Sequence, residues 1–205
     1  MWKSNVKRIG IVGGTGYTGV ELLRMLATHN GVQITCLSSR SEAGKSVASL
    51  YPWLSHYGSL AFEEPSTEAL ASCDLVFFAT PNKIAMNEAG RLLDRGVRVI
   101  DLAADFRFSD LSLWEATYGG SHGSPELIDK AVYGLPERYR CEISSAPLVG
   151  NPGCYPTAVA LALMPLVEAG ALSDAHVIVD GKSGASGVGR SARVDLNVAE
   201  ASDNF

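Results

Sequence analysis

The sequence predicts an open, doubly wound α/β fold, a mostly parallel sheet covered by helices. Three observations carry that expectation. Short apolar runs alternate with amphipathic runs of helical period, in the order βαβα. A glycine-rich turn joins the first apolar run to the first helical one. The central run, Leu75 to Ala79, contains no polar residue, as suits a strand covered on both faces.

Arg8 to Val12 reads as a buried strand. The helix after it, from about Thr18 to Thr28, takes its apolar face from Val20, Leu22, Leu23, Leu26 and Ala27. Asn30-Gly31 ends that helix, and Val32 to Leu37 forms the second strand. The unit has the length of a parallel strand–helix–strand crossover. Residues 44–64, with Pro52 and several aromatics, fit no regular element. Ser66 to Leu70 reads as a short capped helix, and Pro81-Asn82 breaks the run from Leu75. Ala85 to Leu93 is helical, and Val97 to Leu102 is a further strand.

Residues 105–140 read as loops with short helices, and Gly119 to Pro125 as an exposed, mobile turn. Leu148-Val149 leads into Gly150-Asn151-Pro152-Gly153. A helix follows from Thr157 to Glu168, with Pro156 in its first turn, where no N–H is needed. Gly170 stops it. His176 to Val179 is expected to form a strand, ahead of a glycine- and serine-rich loop over residues 181–190. The expected division is residues 1–150 for a nucleotide-binding domain and 151–205 for the start of a second α/β domain.

Composition narrows the function. A hydrophobic share of 46% and a charged share of 19% suit a packed protein of 205 residues. A net charge of −5 argues against broad nucleic-acid binding. No apolar stretch reaches membrane-span length, and no signal-peptide core follows the basic N-terminus. The expected setting is cytoplasmic. Cys36, Cys73, Cys141 and Cys154 show neither a CxxC pair nor zinc-ligand spacing, so no metal is expected. Cys36 and Cys73 read as small buried hydrophobes.

Two constellations carry chemistry. Gly13, Gly16 and Gly19 form G-x-x-G-x-x-G between strand and helix, with Gly14 adding freedom in the turn. Such glycines let the backbone approach a pyrophosphate resting on the helix N-terminus. The second strand ends in Ser38-Ser39-Arg40, with no carboxylate before Glu42. Hydroxyls and a guanidinium fit a 2′-phosphate, so NADP(H) is favoured over NAD. The candidate cofactor residues are Gly13, Thr15, Gly16, Tyr17, Thr18, Gly19, Ser38, Ser39, Arg40, Pro81, Ser183 and Gly184. The second constellation is Cys154, at or just before a helix N-terminus, where free N–H groups and the helix dipole favour a thiolate.

A glycine-rich nucleotide turn followed by Asn151-Pro152-Gly153-Cys154 resembles the pattern of semialdehyde dehydrogenases, and the resemblance implies reduction of an acyl phosphate. Sulfur attacks the carbonyl, phosphate leaves, hydride reduces the thioester and the hemithioacetal collapses to an aldehyde. Developing oxyanions need donors, for which backbone N–H groups around Cys154 and Tyr155 are candidates. Asn151, Arg107, Lys182, Ser186 and Arg190 are the candidate substrate residues. Arg107 could instead pair with Asp101 or Asp105. Of the four histidines, His122 is the nearest to a stand-in base.

Five blocks occur in order: Gly13-Gly14-Thr15-Gly16-Tyr17-Thr18-Gly19, Asp101 to Arg107, Tyr133 to Glu137, the turn to Cys154, and Lys182 to Arg190. Together they resemble the N-acetyl-gamma-glutamyl-phosphate reductases of arginine biosynthesis, over nearly the whole chain. The resemblance implies a Rossmann domain followed by an α/β substrate domain, and a homo-oligomer. It implies NADPH-dependent reduction of N-acetyl-glutamyl 5-phosphate to the 5-semialdehyde plus phosphate, with Cys154 as nucleophile. Pro81-Asn82-Lys83 stands where the family commonly has Pro-His-Gly. The family's later His-Arg-His-x-Pro-Glu segment, which supplies the base, lies beyond Phe205, so the chain reads as an N-terminal portion. A related aspartyl or aminoadipyl phosphate reductase and a nucleotide-binding fragment without turnover remain as alternatives.

Overall fold

A computed structural model describes residues 6–172 and 176–190. The chain divides into two compact units, Met1–Gly153 and Cys154–Phe205.

The first unit alternates strands and helices. β1 (Lys7–Val12) leads through the glycine turn into α1 (Tyr17–Leu26), then β2 (Val32–Ser38). Two short helices follow, α2 (Val47–Leu50) and α3 (Thr67–Leu70), separated by a 3-10 segment at Pro52–Tyr57. Next come β3 (Leu75–Phe78), α4 (Ala85–Leu93), β4 (Arg98–Asp101) and α5 (Leu111–Tyr118). A 3-10 segment at Pro125–Lys130 precedes β5 (Ala131–Tyr133), α6 (Pro136–Ser145) and β6 (Leu148–Gly150). The six strands form one sheet in the order β2-β1-β3-β4-β6-β5, and every pair is parallel. This is the doubly wound sheet that the alternation of apolar runs predicts.

Two apolar layers cover the sheet, and period two sorts side chains between them. Ile9 and Ile11 join Leu23, Leu37, Leu54 and Phe62 on one face. Val12 joins Val76, Phe78, Met86, Leu92, Val99 and Trp114 on the other. Residues 44–64, unassigned from sequence, supply Val47, Leu54 and Phe62 to the first layer. Ser46 starts this stretch by accepting the Ser49 N–H at 3.2 Å, and so caps α2.

Several boundaries and one whole element differ from expectation. α1 begins one residue earlier and stops at Leu26, and β4 stops at Asp101, whose carboxylate turns the chain. β5 is an additional strand, three half-buried residues paired, among the described residues, with β6 alone. Gly119 to Pro125 is not an exposed turn throughout, because His122 and Ser124 are buried. Trp114 provides the reason: its ring packs edge-to-face on the His122 ring at 4.7 Å.

In the second unit, α7 (Cys154–Glu168) starts at the cysteine itself. The strand expected at His176 to Val179 is absent. Among the described residues nothing pairs with this segment, and Val177, Ile178 and Val179 are exposed. A strand needs a partner ladder, which apolar composition alone does not provide. The following loop contains a 3-10 turn at Ala185–Val188.

Candidate functional site

A cleft of about 750 Å³ opens at the carboxyl ends of β1, β2 and β3. Open α/β sheets form such clefts where helices leave the sheet on opposite faces. Its floor is the glycine turn. Gly13 has φ +81°, and a Cβ built there would overlap the Ala79 carbonyl oxygen. Gly19 lets α1 approach closely, because a Cβ on it would stand 2.7 Å from the Gly14 Cα. The turn hangs from β2: the Gly13 and Gly14 N–H groups donate to the Ser38 carbonyl at 3.1 and 2.9 Å. The N-cap residue of α1 is Gly16, which has no side chain to cap the helix, an arrangement that suits a ligand at the first N–H groups.

Of the residues expected at a cofactor site, Gly13, Thr15, Gly16, Ser39, Arg40 and Pro81 line this cleft. The Thr15 and Ser39 hydroxyls bond at 2.9 Å, joining the turn to the end of β2. Arg40 is exposed and has no carboxylate partner among the described residues. Gly19 and Ser38 lie buried behind the lining, while Tyr17 and Thr18 are exposed on the first turn of α1. The opposite wall, unmarked by any sequence motif, comes from Glu64 to Thr67 and from Thr80, Ile84, Asn87 and Glu88. Thr67 donates to Glu88 at 2.8 Å across it. Thr80 Oγ1 is buried in this lining without a partner among the described residues.

A carboxylate relay supports that wall. Asp101, fully buried at the end of β4, accepts the N–H groups of Ala103 at 3.0 Å and Asp105 at 2.9 Å. Asp105, also buried, accepts those of Lys83 at 2.7 Å and Met86 at 3.0 Å, fixing the start of α4. His122 completes the arrangement. Its Nε2–H donates to the Asp105 carbonyl at 2.8 Å, and its Nδ1 accepts the Ser124 N–H at 3.0 Å. Both ring nitrogens are committed and the ring is only 6% exposed, so His122 is a structural histidine and not a stand-in base.

Burial, reinforced by the charge of Asp105, pushes the Asp101 carboxyl up to about 7, against its two hydrogen bonds and the Arg107 charge. The folded state therefore holds this proton more tightly than the unfolded chain. The stabilisation is complete below about pH 4, the ordinary carboxyl value, and is lost as pH rises towards 7. Asp101→Asn is expected to remove this falling limb, roughly 1 kcal/mol per pH unit. Urea unfolding of both proteins between pH 4 and 8 measures it; parallel curves would contradict the assignment.

Arg107 makes neither of the ion pairs considered from sequence. Its Nε donates to the Asn151 carbonyl at 2.7 Å and its Nη2 to that of Leu102 at 3.2 Å. The Asn151 N–H donates to the Asp101 carbonyl at 2.8 Å. Arg107 and β4 thus brace the turn that precedes Cys154. The Asn151 side chain donates to the Pro152 carbonyl at 3.1 Å.

Within the second unit, Cys154 is exposed at the first position of α7. The Tyr155 ring lies against the Gly181 backbone, where a Cβ would come within 2.8 Å of it. Lys182 pairs with Asp180, and Ser183 Oγ donates to the Gly184 carbonyl at 3.1 Å. Ser186 and Arg190 are exposed in the same loop. Among the described residues no group of three or more His, Cys, Asp or Glu is placed to hold a metal, and no helix is long and apolar enough to cross a membrane.

Residues 8–146 match the sequence model of a family described as semialdehyde dehydrogenase, NAD binding domain. The chain belongs to the semialdehyde dehydrogenase family. Residues 154–205 match the family's dimerisation domain. The N-acetyl-gamma-glutamyl-phosphate reductases of Laribacter hongkongensis and Nitrosospira multiformis are each 57% identical to it over 198 residues. Each alignment covers 97% of this chain and 58% of the relative, so this family member spans little more than half the length of those proteins. Among solved structures, aspartate semialdehyde dehydrogenase II of Vibrio cholerae, complexed with ASA, aligns with a TM-score of 0.57. Aspartate semialdehyde dehydrogenase of Candida albicans, with NADP, aligns with a TM-score of 0.56. Both are 19% identical, and both alignments cover 80% of this chain and 47% of the other. They establish a common fold.

Proposed function

We propose that the chain carries the cofactor cleft and the nucleophile of an NADPH-dependent reductase. The reaction is conversion of N-acetyl-glutamyl 5-phosphate to N-acetyl-glutamate 5-semialdehyde and phosphate. The observation that carries this reading is the 57% identity, over 97% of the chain, to reductases named for that substrate. The cleft supports the cofactor. Its glycine floor leaves no room for a Cβ at Gly13, the N-cap residue of α1 is a glycine, and Thr80 Oγ1 has no partner among the described residues. Each feature suits a polar, phosphate-bearing ligand drawn close to backbone.

Gly13 to Gly16 and the first N–H groups of α1 would hold the pyrophosphate. Ser39 and Arg40 would hold a 2′-phosphate, with the guanidinium forking onto its oxygens. Arg40→Glu is expected to weaken NADPH binding at least tenfold and to leave NADH binding within about twofold. Fluorescence titration with each cofactor measures this; equal losses for both would remove Arg40 from the 2′-phosphate site.

Cys154 is the nucleophile of this reading. As its sulfur attacks the acyl carbonyl, a C–S bond forms, the bond to the phosphate oxygen breaks, and phosphate departs with that electron pair. The N–H groups of Cys154 and Tyr155 lie in the first turn of α7, where the helix itself offers them no acceptor, and can donate to the oxyanion. Bound NADPH supplies the hydride that reduces the thioester. Arg190, and Lys182 once released from Asp180, would meet the anionic substrate, with Ser183 and Ser186 as hydroxyl donors. A homo-oligomer in the cytoplasm accompanies this reading, supported by the dimerisation-domain match and by four free cysteines.

The test is the reverse reaction in this chain, with N-acetylglutamate 5-semialdehyde, phosphate and NADP, beside a binding titration. NADPH binding together with turnover dependent on all three would give the chain both the cofactor site and the covalent step. NADPH binding without turnover would confine the chain to the cofactor role, and failure to bind NADPH would overturn the reading.

A further inference from the structure

One face of the sheet holds a pair of thiols that the proposed reaction does not use. Were β2 regular, Cys36 would share a face with Ile34, two residues before it. Ile34 belongs to the layer of Ile9 and Ile11. The β1–β2 register, however, pairs Ile9 with Ile34 and then Gly10 with Cys36. Thr35 is the extra residue of a β-bulge on the edge strand. The bulge turns Cys36 to the opposite face, that of Gly10, while Leu37 returns to the face of Ile11. Cys36 accordingly packs against the apolar layer that contains Cys73.

Cys73 reaches the same spot from the turn between α3 and β3. Its Sγ lies 3.2 Å from where a Cβ on Gly10 would stand, so the missing side chain of Gly10 leaves the space for sulfur. Thr35 Oγ1, on the bulge itself, lies 3.6 Å from that Sγ. The two thiols therefore meet at Gly10, which is paired with Cys36 across β1 and β2 and is overlain by the Cys73 sulfur. The Cys36 thiol, then the Thr35 and Ser72 hydroxyls and the Arg8 charge, lower Cys73 to about 6 against the opposing effect of burial. Cys36 is pushed up in turn, first by its bond to Cys73 and then by burial. One partner is half-buried at the sheet edge and the other is 4% exposed.

We propose that Cys36 and Cys73 are an oxidative modification site, which a peroxide converts into an intramolecular disulfide. In the first step an S–O bond forms at the sulfur that peroxide reaches, the O–O bond breaks, and hydroxide leaves, taking up a proton as water. In the second, the other sulfur attacks the sulfenic sulfur. The S–S bond forms, the S–O bond breaks, and a second water departs. Two thiols lose two electrons and two protons, and peroxide is reduced to two waters.

The test uses the chain with Cys141→Ser and Cys154→Ser, both exposed positions whose change leaves the core intact. Titration with hydrogen peroxide is followed by counting thiols after denaturation and by peptide mass spectrometry. The expected result is loss of both thiols together. It is accompanied by a Cys36–Cys73 cross-linked peptide lighter by two hydrogens than its parts, and dithiothreitol restores both thiols. A sulfinic or sulfonic acid on one cysteine with the other still a thiol would overturn the proposal. So would retention of both thiols under a peroxide excess that oxidises free cysteine.

Discussion

Cys154→Ser is expected to slow interconversion of N-acetylglutamate 5-semialdehyde and its acyl phosphate by at least about a thousandfold, while NADPH affinity stays within about twofold. A thousandfold corresponds to roughly 4 kcal/mol of barrier. The size follows from the nucleophile. Sulfur is intrinsically a strong nucleophile, whereas a serine hydroxyl attacks only when a base removes its proton. Cofactor affinity should hold because every residue lining the cleft belongs to the first unit. Iodoacetamide gives an independent readout. Cys141 is also exposed, and lies in α6 two residues beyond the kink at Tyr139. Faster labelling of Cys154 than of Cys141 is expected. Equal rates would mean that the α7 N-terminus does not activate the thiol. A serine variant with more than a tenth of the original turnover would end the covalent mechanism.

The central sheet is legible because each of its segments carries one unbroken signal. Ala85 to Leu93 is bounded as the sequence predicts, since its apolar positions keep helical period and Pro81-Asn82 isolates it. β5 is illegible for the opposite reason: Ala131-Val132-Tyr133 is too short to show a period, and only its register with Leu148-Val149-Gly150 makes it a strand. His176 to Val179 errs in the other direction, an apolar run with no ladder to join among the described residues. The same contrast divides the site. Gly13, Gly16, Ser39 and Arg40 belong to short local patterns, whereas Thr67, Thr80 and Glu88 meet the cleft only through the parallel neighbours β1 and β3. Arg107 illustrates a further limit. Sequence offers carboxylates at Asp101 and Asp105 as its partners, yet those side chains are spent on backbone N–H groups and the guanidinium takes carbonyls instead. The position of Cys36 depends on a bulge, which exists only once two strands are paired.

Gly13→Ala is expected to lower stability by roughly 3–5 kcal/mol and to abolish measurable NADPH binding, if the variant accumulates folded at all. Two costs add at this position. The backbone at φ +81° excludes an L side chain at a cost of about 1–2 kcal/mol. The new methyl also meets the Ala79 carbonyl oxygen. That oxygen belongs to the backbone leaving β3, so relief requires the glycine turn and β3 to separate. Separation would pull on the Gly13 and Gly14 bonds to Ser38 and tilt the first N–H groups of α1 away from the cleft. Gly44→Ala isolates the first cost, because Gly44 has φ +87° but nothing within 4 Å of a Cβ. It should lose only about 1–2 kcal/mol and keep its cofactor affinity. Urea unfolding and NADPH titration of both variants decide the matter. Equal losses of stability at the two positions would mean that steric contact with β3 contributes nothing, and that the approach of the turn to the strand is looser than described.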